Sequence, residues 1–70
     1  MQVLGGEVKI HIRTTTKPFG PHRNSVRFRH ELAYVIEGVS AKVQRDGQPK
    51  RGEVWMLKDS NGQKCGTVRA

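Results

Sequence analysis

Between Ser25 and Gln44 the large apolar residues Phe28, Leu32, Val35, Ile36, Val39 and Val43 recur at steps of three and four. At ~100° per residue they fall on one arc about 100° wide, the pattern of a helix laid along a core. A fold for this chain must therefore supply an apolar surface long enough to take that helix. The segments on either side have to build it.

The helix limits can be read from local chemistry. Asn24 or Ser25 caps the start, because either side chain can accept from orphan N–H groups of the first turn. Gly38 offers an early stop, after which Val39, Ala41 and Val43 would alternate as a strand. Continuation is the better reading, since Val39 and Val43 stay on the arc set by Phe28 and Leu32. Arg45-Asp46-Gly47-Gln48-Pro49 then forms the end, with Gly past the last turn and Pro two residues on. A strand ending would need a hairpin through Asp46-Gly47 that puts Pro49, which cannot donate, into a paired strand. Against continuation stands Gly38, at about 1 kcal/mol in a helix interior.

Upstream, Glu7 to Thr15 alternates, with Val8, Ile10 and Ile12 on one side and Glu7, Lys9, His11 and Arg13 on the other. Preceded by Gly5-Gly6, this is a strand with one buried and one solvated, basic face. Lys17 to Asn24 is a loop, shaped by Pro18, Gly20 and Pro21, with Phe19 as its anchor into the core. Downstream, Gly52 to Arg69 reads as a hairpin turning at Asn61-Gly62. That two-residue turn sets Trp55 opposite Val68, Leu57 opposite Gly66 and Asp59 opposite Lys64. A shift by one would oppose Lys58 to Lys64, a repulsive pair. Trp55 belongs to the core face, Gly66 leaves room for a neighbour, and Cys65 is a half-buried strand residue. The expected architecture is α+β, order β-α-β-β: a three-stranded antiparallel sheet with one helix packed across one face. A fourth strand joins only if the helix stops at Gly38.

Size now limits the options. Seventy residues make a single small domain, and a chain of that length buries only roughly 60% of its unfolded surface. With 34% apolar residues and one Cys there is no disulfide framework to compensate. Either the layers pack closely or the chain self-associates, so a homo-oligomer is one expected partner state. The longest apolar run is five residues, Leu32 to Ile36, and no basic region leads into it. A membrane span is not expected, and with a lone Cys the expected location is the cytoplasm.

Charge points to a class of partner. The net charge is +7, and residues 1–30 hold six Lys or Arg against Glu7 alone. No carboxylate lies between Val8 and His30, a single-sign field that attracts polyanions. On the helix, Arg23, Arg27, His30, Tyr34, Ala41 and Arg45 form a second row within about 60° of arc, opposite the apolar one. Arginine offers a planar donor fork for phosphate, and tyrosine a face for stacking. Cations at a helix N-terminus oppose the macrodipole, a conflict that a bound phosphate would relieve. The simpler reading of this row is a solvated face with Arg27–Glu31 as an (i, i+4) pair. The candidate binding residues are Lys9, Arg13, Lys17, Arg23, Arg27, His30, Tyr34 and Arg45.

Catalytic patterns are missing. No phosphate-cradling glycine motif occurs, Glu31 and Glu37 lie about 120° apart on the helix, and His11, His22, His30 and Cys65 show no ligand-pair spacing. No enzyme, metal or cofactor is expected. Two functions follow: a small basic protein that binds nucleic acid, DNA or RNA, or a small regulator or inhibitor of the kind phages and mobile elements encode, docking on an acidic partner protein.

Overall fold

The helix forms where its caps dictate. In a computed structural model that describes residues 6–70, α1 spans Val26–Asp46. Ser25 is the N-cap, its Oγ accepting from the Phe28 N–H at 3.1 Å. Asn24 turns the chain into that cap with a φ of 67°. The helix closes at Gly47, where φ is 76° and the N–H donates to the Val43 carbonyl. Gly38 is thus an interior residue, and no fourth strand forms among the described residues. Gly5, expected as half of the break before the first strand, lies outside them.

Strands β1 (Lys9–Ile12), β2 (Val54–Lys58) and β3 (Lys64–Arg69) make one antiparallel sheet in the order β1-β3-β2, with α1 between β1 and β2 in sequence. This is the expected α+β fold with β3 at its centre. Trp55, Leu57 and Val68 point inward and meet Val35 and Val39 of the helix; Phe19 and Cys65 complete the buried cluster. Phe19 is fully buried and meets Phe28 edge-on, ring centroids 5.5 Å apart.

Three expectations need correction. β1 is four residues long rather than nine, and Ile10, on the helix side of the sheet, is 54% exposed. Ile36 and Val43, expected in the core, are 49% and 42% exposed. One cause covers the exposure of Ile10, Ile36 and Val43. The helix packs against β2 and a 3-10 turn at Lys17–Phe19 rather than against β1, so the flank of its apolar arc facing β1 stays open.

The third correction is the hairpin register. Trp55 does pair with Val68 and Leu57 with Gly66, but the ladder then slips and Lys58 faces Lys64. The turn is one residue longer than expected: Gly62 donates to the Asp59 carbonyl and Asp59 to the Gln63 carbonyl, both at 2.9 Å. Of the two turn residues only Gly62 is left-handed, at φ 83°, which makes a three-residue loop with a glycine bulge. A second bulge, between Leu57 and Lys58, reconciles that loop with the upper ladder. It turns Cys65 fully into the core, where an unbroken alternation would have put Lys64. Gly66 has its own reason. A methyl group there would collide with the His11 carbonyl oxygen and approach the Ile12 Cα to 3.1 Å, so the room it leaves is filled by the β1 backbone.

Candidate nucleic-acid interface

The eight candidate residues do not form one surface. Lys17, Arg27, His30 and Tyr34 gather round an open cleft of about 600 Å³ between the 3-10 turn, the first half of α1 and the β2–β3 turn. Arg23 is exposed in the turn before the helix, outside that cleft. Arg45 sits in the last helical turn beside Asp46, its Nε 3.4 Å from the carboxylate, and eleven residues beyond Tyr34, or about 16 Å along the axis. Lys9 and Arg13 belong to the sheet layer. Lys9 Nζ is 3.7 Å from Glu7, and an Arg13 guanidinium nitrogen reaches the Lys64 carbonyl at 3.4 Å.

Within the cleft, Arg27 and Glu31 do not pair with each other as expected. Arg27 donates to the Pro18 and Lys17 carbonyls at 3.0 and 2.9 Å, pinning the 3-10 turn to the helix. The Lys17 carbonyl also accepts from the Gly20 N–H at 3.0 Å, whereas the Pro18 carbonyl relies on the arginine, so Arg27 works first as a structural clamp on the turn. Its side chain also fills the space beside Gly20. Glu31 is buried and accepts from the Ser60 N–H and Oγ, both at 2.7 Å, which seats the hairpin turn against the helix. Both lone-pair-bearing oxygens are therefore occupied, and the carboxylate presents little acceptor surface to a ligand. Tyr34, by contrast, is 53% exposed. The cleft offers an aromatic face beside the Lys17 cation, the outer edge of the Arg27 guanidinium and an imidazole.

Ser60 and Asn61 also line this cleft, and neither was a candidate from sequence. Nothing local marks them: they arrive through the docking of Ser60 on Glu31, across 29 residues of chain. Trp55 is buried, with Lys42 Nζ 4.8 Å from its ring centroid, and is not a stacking platform.

The ionisable groups that shift are structural. Burial acts to raise the Asp59 carboxyl, but donation from the Gln63 N–H, the Thr16 hydroxyl, and the Asn61 and Gly62 N–H groups outweighs it and holds the carboxyl below the ordinary 3.8. Neither Thr16 Oγ1 nor Asp59 Oδ2 reaches full hydrogen-bond geometry, and the Gly62 N–H bonds the Asp59 main-chain carbonyl, so the Asn61 and Gln63 N–H groups on Oδ1 carry most of that effect. Burial pushes the Cys65 thiol up, the Asp59 and Glu31 carboxylates add to this, and Arg13 opposes it. A thiol so placed is a poor nucleophile. Among the described residues no three His, Cys, Asp or Glu side chains gather to hold a metal ion, and no helix is long and apolar enough to cross a membrane.

Comparison of the chain with protein-family models, with curated proteins and with solved structures returns no match, so its function is read from its own geometry.

Proposed function

We propose that the chain is a small nucleic-acid-binding protein of the cytoplasm, without catalytic activity or cofactor. The observation that carries this is the meeting of Lys17, Arg27, His30 and exposed Tyr34 around one cleft whose only carboxylate is spent on Ser60. A base stacked on Tyr34 would place its phosphates among those cations. Stacking of this kind is worth about 1–3 kcal/mol per base, so Tyr34→Ala weakens single-strand binding by roughly five- to 150-fold.

The test is an electrophoretic shift with a 20-nucleotide single strand and its duplex, from ~50 to ~200 mM salt. Neutralising about three phosphates gives a log–log salt slope of roughly −2 to −3. Binding absent at ~50 mM salt for both forms would sink the reading.

A second reading, a protein-binding regulator, has an observation of its own. A groove of about 410 Å³ runs between α1 and β2, floored by Val35, Val39 and Leu57 and widened at Gly38. β2 is an edge strand, open to pairing with an extended peptide. This reading predicts no nucleic-acid binding and saturable binding of an acidic, extended peptide.

A further inference from the structure

The sheet has a second face, which α1 does not cover. Inward positions are fixed by Trp55, Leu57, Val68 and Gly66, so the pairing partners between them point the other way. Lys9 and Arg69 lie side by side on one rung, His11 and Thr67 on the next, and Lys58 faces Lys64 on a third. Arg13 continues the His11 side, lining a hollow with His11 and Lys64. All six of these basic residues are exposed.

Two features separate this face from an ordinary solvated one. Soluble surfaces intersperse both signs, yet none of the outward strand positions on these rungs carries a carboxylate; Glu7 precedes β1 and pairs with Lys9, and Glu53 precedes β2. The cations are also set directly opposite one another in two places, Lys9 with Arg69 and Lys58 with Lys64. Like charges so placed destabilise an antiparallel pair. The Leu57/Lys58 bulge creates the second pair by turning Lys64 outward. A bound polyanion converts both repulsions into attraction.

The chemistry also selects the form of the polyanion. Surfaces that hold single strands stack bases on aromatic side chains. Phe19, Phe28 and Trp55 pack on the inner side and Tyr34 is on the helix, so the outward rungs hold no aromatic residue. What they offer is cations rooted at the regular spacing of the sheet, with two exposed apolar side chains, Val54 and Met56, along one edge. That suits phosphates held in fixed positions, as in a duplex backbone.

We propose that the outward face of the sheet binds the phosphate backbone of double-stranded nucleic acid, as a surface separate from the Tyr34 cleft. The proposal rests on the reading that the chain binds nucleic acid. It assigns Lys58, Lys64 and Arg69 as contacts, with Lys9, His11 and Arg13.

The experiment is fluorescence anisotropy from ~50 to ~200 mM salt on a 20-base-pair DNA duplex, an RNA duplex and the matching single strands. It compares the full chain with a Lys64→Gln/Arg69→Gln double variant and with Lys64→Glu/Arg69→Glu. The neutral variant removes both like-charge pairs, so it should fold at least as well, which a thermal melt checks. Expected is a loss of roughly tenfold in duplex affinity for the neutral variant and more for the reversed one. The duplex salt slope becomes shallower by about 2, while single-strand affinity changes less than about threefold. Equal losses for duplex and single strand overturn the proposal, as does an unchanged duplex affinity. If the unaltered chain binds single strands but no duplex, the proposal falls and the cleft reading stands. If it binds neither, both fall.

Discussion

Asp59 does more for this fold than its one charge suggests. Its Oδ1 accepts from the Asn61 and Gln63 N–H groups at 2.9 Å each, so a single carboxylate holds both sides of the loop. Because donors outweigh burial, its folded pKa lies below 3.8. A carboxyl lowered on folding contributes stability that is present above its unfolded value and lost as pH falls through the folded one. Urea midpoints measured between pH 6 and pH 2.5 should therefore drop below about pH 4. Asp59→Asn should be less stable at pH 7 and show a smaller drop on acidification; an identical pH profile would show that the carboxylate's charge is immaterial to the turn. Arg27 teaches a related lesson. Its place on the outer row was legible in the sequence, but its duty to the Lys17 and Pro18 carbonyls was not, since those acceptors become available only when the 3-10 turn folds beside it. A weakened variant at Arg27 would thus confound binding with folding, which makes Lys17 and Tyr34 the cleaner probes of the cleft.

At the scale of elements, what is local was readable and what depends on packing was not. Ser25, Gly47 and Pro49 placed the ends of α1 because caps act over one turn of chain. The helix's seat was not readable: its arc of six apolar residues is symmetric about a line between Val39 and Leu32, and nothing in it says that Val35 would face β2 while Ile36 faced open space. The hairpin misled in a similar way. Asn61-Gly62 signals a two-residue turn, but the Asp59 carboxylate two residues earlier stabilises a longer one and drags the register with it. Gly38 supplies a direct test of the helix. Beyond its chain neighbours and the helix's own backbone, nothing lies within 4 Å of the position a methyl group there would take, so Gly38→Ala should stabilise the chain by about 1 kcal/mol. In a domain of this size that is a rise of roughly 4–8 °C in Tm. An unchanged or lower Tm would mean that the helix is not continuous through this position in solution.

For the whole molecule, the distribution of charge matters more than its total. The acid-poor first thirty residues predicted one basic surface; folding divides them between the helix-side cleft and the sheet face, and adds Lys58, Lys64 and Arg69 from the far end of the chain to the latter. Half of the candidate site was legible for this reason. Arg27, His30 and Tyr34, within two turns of one helix, stay together, and Lys17 joins them through the 3-10 turn. Arg45 lies too far along the same helix, and strand residues join whichever neighbours the register assigns. The open flank at Ile10, Ile36 and Val43 bears on stability too, because each is apolar area that contributes little to the core of a small domain. The bulge between Leu57 and Lys58 has a consequence of another kind. The same residues could zip into an unbroken ladder in which Lys64 turned inward and Cys65 outward. The thiol is therefore a gauge of which ladder the hairpin has adopted: silent toward a maleimide or disulfide reagent in the bulged form, and labelled within minutes wherever a substitution at Asp59 or Gly62 lets the strand slide by one.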